Sequence, residues 1–375
     1  MKTSKWTSTI ALLSIAALAP LGFAQESSPN GKDSGGAVFT SSNTSLANTV
    51  VAFRRNGSGA LVPIAAYYTG GTGNDMGLGS QNAVVMTENR QWLLTVNAGS
   101  NDISVFRVHG WGLELSSRTQ SGGSTPISLT VHGNVVYVLN AGSGNNITGF
   151  RLLPNGDLWR IWNSTNELSG SQVGPAEVQF SADGRLLAVT EKATNKIDTF
   201  RVDNQGRAFG RKTFDSVGVT PFGFSFDNKN RLYVSEAFGG AEGASALSSY
   251  ATWPNGTISV ISPSVPTNQT AACWTAIDSH GNFVYTTNAG SASVSGFKIM
   301  NSGNVGLITA NGQTGLTPEG SHPIDASITS DDKFLYVLGS GNVGISGFRR
   351  KNDGKLSYLG TATGLPASTS GLASW

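Results

Sequence analysis

Two glutamates, a histidine and a lysine carry most of the chemistry this sequence could perform. Glu191 closes the run Leu187-Ala-Val-Thr-Glu191, and Glu236 closes Leu232-Tyr-Val-Ser-Glu236. A carboxylate at the end of an apolar strand can take a proton from water or from a carbon beside a carbonyl, or orient a water molecule. Lys192 follows Glu191 directly, so a surface ion pair of little energetic worth is the competing reading. His322, in Glu319-Gly-Ser-His322-Pro323, has the ring to act as a base near neutral pH, or else caps a pre-proline loop. The candidates for catalysis are therefore Glu191, His322 and Glu236. Those for substrate contact are Lys192, Glu177, Asn97, Asn140 and Asn288. The three asparagines each sit in an Asn-Ala-Gly-Ser loop, where Asn also serves as a turn former. A ring of Asn and Glu oxygens could bind a cation, but no ligand set at metal-site spacing supports one. No GxSxG, P-loop, HExxH or CxxC motif occurs, and no cofactor is expected. Cys273 is the single cysteine and lies in Ala271-Ala-Cys-Trp-Thr-Ala276, a run that reads as a buried strand.

The elements that position these groups repeat. An apolar strand, a short Gly/Asn loop and a second strand with an aromatic near its end recur seven times, roughly 40 to 55 residues apart. Leu93-Leu-Thr-Val-Asn-Ala-Gly-Ser…Ile103-Ser-Val-Phe106, Val136-Tyr-Val-Leu-Asn-Ala-Gly-Ser…Ile147-Thr-Gly-Phe150 and Phe283-Val-Tyr-Thr-Thr-Asn-Ala-Gly-Ser…Val294-Ser-Gly-Phe297 are close copies. A further strand precedes each copy and another follows it, as in Pro175–Phe180 before and Asp353-Gly-Lys-Leu-Ser-Tyr358 after. Four strands per unit and seven units predict an all-β, seven-bladed propeller. The first unit lacks an inner strand, and residues 366–373 resemble one with no partner. Residues 366–373 should therefore complete the blade begun by residues 37–66, which removes the open sheet edge. Alternating strand direction puts the second-to-third and outer-to-inner loops on one face, with Glu191, Glu236 and His322. His109, His132 and His280 fall on the other face. Trp159, Trp162 and Trp253 lie on outer strands or their edges and are expected to fill blade packing in preference to binding sugar.

This pattern resembles the lactonase family of seven-bladed propellers, which includes 6-phosphogluconolactonases and carboxymuconate lactonizing enzymes. The resemblance spans roughly residues 37 to 375. Gly174-Pro-Ala-Glu-Val-Gln-Phe-Ser-Ala-Asp-Gly-Arg-Leu-Leu-Ala-Val-Thr-Glu191 carries the best local match, and it implies an active-site role for Glu191. The Arg and His that the family places after that Gly-Pro are here Ala176 and Glu177. Thr125-Pro-Ile-Ser128 stands where a further His is expected, and Glu236 replaces an Arg. The resemblance implies a small cyclic ester or related carboxylated metabolite as substrate, by hydrolysis or lactonization. A non-catalytic extracellular binding protein on the same scaffold is the alternative.

Composition agrees with the fold. Charged residues are 13% and glycines number 48 of 375, which suits short strands and tight turns over helices. The net charge of +2 excludes the electrostatic footprint of a nucleic-acid binder, and no basic run addresses a membrane. Lys2 and Lys5, the apolar stretch Ile10–Leu21 and Gly22-Phe-Ala24 read as a signal peptide over residues 1–24. Residues 25–36 read as a flexible leader, and residues 37–375 as one propeller. A secreted or periplasmic monomer with a small-molecule ligand or an extracellular partner is expected, with no membrane span. Six Asn-x-Ser/Thr sequons, among them Asn163, permit N-glycosylation.

Overall fold

The computed structural model describes residues 35–375. The expected signal segment 1–24 lies outside them, as does the leader 25–36 apart from its last two residues.

Seven antiparallel sheets are arranged in a ring, and the described residues contain no α-helix, only a 3-10 turn at Phe238–Gly240. In the fourth blade, Pro175–Phe180, Leu186–Glu191, Lys196–Val202 and Ala208–Asp215 run from hub to rim. The first blade closes as expected. Ser370–Ser374 pairs antiparallel with Gly36–Ser41, which continues outward to Thr49–Arg55 and Leu61–Tyr68.

Second strands are apolar on both sides because each lies between two neighbouring blades. Leu187 and Val189 pack toward the third blade, while Leu186 and Ala188 pack toward the fifth. The period-2 alternation of a strand thus feeds two cores. Buried tyrosines stitch the rim. Tyr137 Oη donates to the Gly206 carbonyl (2.9 Å), Tyr285 to Gly354 (2.8 Å) and Tyr336 to Gly59 (2.7 Å). Each bond joins a second strand to the turn before the next blade's outer strand, and the last crosses the ring closure.

The hub edges of the inner strands would otherwise leave free N–H groups, which are costly when buried. Side chains from the preceding blade accept them. Val178 N and Phe180 N donate to Ser128 Oγ and Thr130 Oγ1, and Phe224 N and Phe226 N donate to Glu177 Oε2 and Gln179 Oε1.

One packing expectation is overturned. Trp159, Trp162 and Trp253 do not fill the blades; they are 66%, 81% and 53% exposed. The inward positions beside them are already taken by Leu158 and Ile258.

Candidate functional site

Asn97, Asn140, Glu191, Glu236 and Asn288 occupy one position in five successive blades, the last residue of the second strand. Asn140, Glu191, Glu236 and Asn288 face the first residue of the inner strand on one side, and all five face the start of the third strand on the other. Their side chains are buried and turn into their own blades. Asn97 Nδ2 donates to Asp102 (2.6 Å) and Ser104 (2.8 Å), Asn140 to Asn146 (3.0 Å), and Asn288 to Ser293 (3.0 Å) and Ser295 (2.9 Å).

Glu191 accepts from Ser169 N (3.0 Å), Ser169 Oγ (2.5 Å) and Thr194 Oγ1 (2.6 Å). Its charge also helps push the buried Asp198 carboxyl up to about 7, after burial as the main cause. Glu236 accepts from Gly218 N (2.9 Å), Ser248 Oγ and Ser264 Oγ, and burial raises its carboxyl above the usual range. His322 is exposed, and its Nδ1 lies 3.2 Å from the Ala289 carbonyl. Glu191, Glu236 and His322 therefore share no partner. Each position ties a loop to its blade. The loop residues Gly71, Gly123 and Gly218 pass so close that an added Cβ would lie within 2.6 Å of Asn97, Asn140 or Glu236.

The channel mouth is built from different residues. The chain enters inner strands through left-handed residues, at Thr125 (φ 53°), Gly174 (60°), Thr220 (58°), Ala271 (57°) and His322 (45°). For β-branched Thr125 and Thr220 this conformation is strained, so the surrounding ring must impose it. The segment joining the first blade's outer strand to the second blade's inner strand then drops into the hub. Gln81 Nε2 donates to the Thr275 carbonyl (2.7 Å), and Thr275 N returns a bond to Gln81 Oε1 (2.9 Å). Ser80 Oγ donates to the Ile127 carbonyl and Trp274 Nε1 to the Ser80 carbonyl, both at 2.7 Å. Gln81 N reaches the Ala176 carbonyl (3.1 Å), and Asn82 Nδ2 reaches Glu177 Oε1 (2.6 Å). Residues 78–82 thus plug the hub and are bonded to three other blades.

Glu177, read as a substrate contact, lies beneath this plug. It is fully buried, with both oxygens accepting hydrogen bonds, and burial drives its carboxyl well above the usual range despite the Phe224 N–H. Asp325, the corresponding residue of the seventh blade, is raised in the same way. Its Oδ2 has no partner among the described residues.

Lys192 lies over the plug. Its Nζ donates to the Gly79 carbonyl and sits 4.5 Å from the centre of the Phe222 ring. It forms no ion pair with a carboxylate among the described residues. Loss of solvent lowers its amine to about 8. Beside it Cys273 is held as a thiol, pushed up to about 12 by burial. Phe222 packs against Trp274 in a tilted arrangement with ring centres 4.8 Å apart, and both pack with Cys273 and Ala176 in one apolar cluster. The ion pair of Lys192 with Glu191, the competing reading of that glutamate, is not formed. Phe222, Trp274 and Gln81 were not among the sequence candidates. The signal available for Gln81 was the strandless stretch between Tyr68 and Val84, long for a connection inside a compact ring.

Residues 220–368 match the family model described as Lactonase, 7-bladed beta-propeller. Among solved structures the chain is similar to a putative 6-phosphogluconolactonase of Bacteroides fragilis, with TM-score 0.73 and 19% identity over 93% of this chain and 100% of that one. It is similar also to a protein from Lactobacillus plantarum, with TM-score 0.72 and 16% identity over 91% and 99%. The periplasmic gluconolactonase of Pseudomonas aeruginosa aligns with TM-score 0.70 and 16% identity over 90% and 98%. No curated protein matches the chain in sequence. By its fold the chain is a seven-bladed β-propeller, and its residues 220–368 are similar to the lactonase family of such propellers.

Proposed function

We propose that this protein hydrolyses a small, unphosphorylated lactone at the channel mouth, with Lys192 as general base. The observation that carries the reading is the Lys192 amine, held over Phe222 with a single carbonyl partner and no carboxylate. An amine of about 8 is partly neutral near physiological pH, the range in which a base is most effective. In this mechanism water attacks the lactone carbonyl carbon while Lys192 Nζ takes its proton. The ring C–O bond then breaks, and the departing oxygen takes the proton back, which leaves a hydroxy acid. Glu191 acts as a positioning residue. It fixes Thr194 and the Ser169 loop, and so holds the turn from which Lys192 projects. A phosphorylated lactone would need several converging cations, and Lys192 lies over Phe222, which belongs to an apolar cluster with Trp274 and Cys273. The family resemblance and the periplasmic gluconolactonase among the structural neighbours support a lactone substrate and export, and the charged, apolar and small residues in order over 2–24 support cleavage after Ala24.

A second reading, a binding protein without turnover, is favoured by the plugged hub and by the complete hydrogen bonding of Glu191 and Glu236. A panel of neutral and anionic lactones, assayed with the parent, Lys192→Met and Lys192→Arg, separates the two. The first reading expects kcat/KM to fall by about 10²–10⁴ in both variants, with a parent profile that rises to a plateau above pH 8. Unchanged turnover in Lys192→Met refutes Lys192 as the base. Ligand-induced thermal stabilisation with no turnover of any lactone establishes the second reading instead.

A further inference from the structure

The rim between the third and fourth blades carries a feature that lactone chemistry does not use. The third blade's outer strand stops after Leu158–Arg160, and pairing resumes only at Asn166–Glu167. Across the gap, Ile161 N still donates to the Gly149 carbonyl (2.9 Å), and Ser164 Oγ donates to the same carbonyl (2.9 Å) and accepts from Gly149 N (3.2 Å), so one side chain completes the interrupted ladder. The segment bows outward and opens a cavity of about 390 Å³ against the fourth blade, lined by Asn163, Asn166, Asp203, Arg207 and Phe209. Trp162, within the bowed segment and next to the lining residue Asn163, is 81% exposed, Trp159 on the short outer strand before it is 66% exposed, and Phe209 of the lining is 40% exposed.

The break itself does not call for tryptophan. The sixth blade has the same device, with Thr314 Oγ1 accepting from Gly296 N (2.8 Å) between Val305–Leu307 and Gly315–Leu316. There Ile308 N bonds the Gly296 carbonyl as Ile161 N bonds that of Gly149, both at 2.9 Å, and the positions of Trp159 and Trp162 are held by Gly306 and Thr309. Two indoles in water carry a hydrophobic cost that packing does not require, and such exposure marks a binding surface. The polar groups nearby are rigid and partly free. Asp203 and Arg207 are fixed against each other at 2.8 Å. Asn166 Nδ2 is held by the Ala208 carbonyl (3.0 Å), while its Oδ1 and the Asn163 side chain make no hydrogen bond among the described residues.

We infer that this groove binds carbohydrate, with a pyranose face stacked on Trp162 or Trp159 and its hydroxyls met by Asn163, Asn166 and Arg207. A flat ring with one apolar C–H face and an equatorial fringe of hydroxyls matches an aromatic plate beside amide, carboxylate and guanidinium groups. The volume suits one sugar residue of a longer chain.

The test is sedimentation with insoluble polysaccharides. Microcrystalline cellulose, chitin and a linear β-1,3-glucan are used, with protein made in a host that does not glycosylate Asn163. Parent protein should co-sediment with at least one polymer. Trp162→Ala and Trp159→Ala should weaken that retention about tenfold, as loss of an anchoring aromatic does. Trp253→Ala removes an exposed tryptophan of the fifth blade and should change nothing. All three sites are exposed, so the variants should keep the parent's melting temperature. No retention on any polymer overturns the proposal, and so does equal retention by Trp162→Ala and the parent.

Discussion

Gln81→Ala tests whether residues 78–82 are a structural plug or a loop resting on the hub. Gln81 closes a two-bond ring with Thr275, at 2.7 and 2.9 Å. Alanine leaves the Thr275 N–H and C=O without partners inside the hub. Each such bond is worth about 0.5–1.5 kcal/mol net, and each buried group left unpaired costs about 1–3 kcal/mol, so the combined loss should be about 2–4 kcal/mol. Relief by an entering water is limited, because Gly223 already lies against Gln81: a Cβ there would come within 2.1 Å of Gln81 Oε1. At about 2 °C per kcal/mol for a domain of this size, the melting temperature should drop on the order of 5 °C. Urea unfolding at neutral pH gives the free energy directly. Gln81→Glu supplies the control. One oxygen of the introduced carboxyl can still accept from Thr275 N, but the other opposes the Thr275 carbonyl. It should be as damaging as alanine near neutral pH and recover as the carboxyl protonates in acid. A Gln81→Ala protein within about 0.5 kcal/mol of the parent would refute the plug, since that is the size of a change at an unconstrained surface position.

Three further outcomes are expected. Asp325 has a folded carboxyl raised well above its ordinary range by burial, so its contribution to stability is lost as pH rises from about 4 toward the folded value; urea titrations should find Asp325→Asn close to the parent near pH 3.5 and more stable at pH 8, and a constant difference across that range would contradict this. Deleting residues 364–375 removes the first blade's inner strand and the buried Leu365, Leu372 and Ala373; calorimetry should find a large loss of melting temperature or no cooperative transition, whereas an unchanged melt would contradict the closure. Glu191→Gln, judged by lactone kinetics, should keep turnover within about tenfold of the parent, because a positioning residue lies outside the 10²–10⁴ range of a general base; a loss inside that range would return the base to Glu191.

The ring was legible because its determinants are local and repeated. Alternating apolar positions, Gly turns and the aromatic near each third strand's end give one answer seven times, and the unpaired residues 366–373 pointed to the closure. The second-strand ends were found as positions but not as directions. Asn97, Glu191 and their counterparts face inward to their own blades because small residues such as Gly71 and Gly218 let the preceding loop settle onto them, a pairing of segments that no single repeat displays. The plug occurs once, so no repetition announces it. Lys192 was read by its neighbour in sequence, Glu191, yet its environment is set by Phe222 and Gly79, which come from two other parts of the ring. Of the rim tryptophans only Trp159 lies on an outer strand, and all three were assigned to packing although they are exposed; a three-residue strand and two turn positions are too short for a period-2 pattern to tell the core face from the free one.

The closure of the first blade also bears on how the chain folds. Blades two to seven each use contiguous sequence and can form one after another as their residues become available. The first blade cannot, because Gly36–Ser41 waits for a strand more than 300 residues downstream, and Tyr336 waits to reach Gly59. Until then two unpaired edges face the solvent, one at each end of an open arc, and each can accept a strand from another chain. The slow, non-local step therefore comes at the end of assembly. During it the chain is most exposed to aggregation and to strand exchange between copies. A host that shortens this interval, by a chaperone that covers Gly36–Ser41, should raise the yield of native ring more than any change inside the remaining blades.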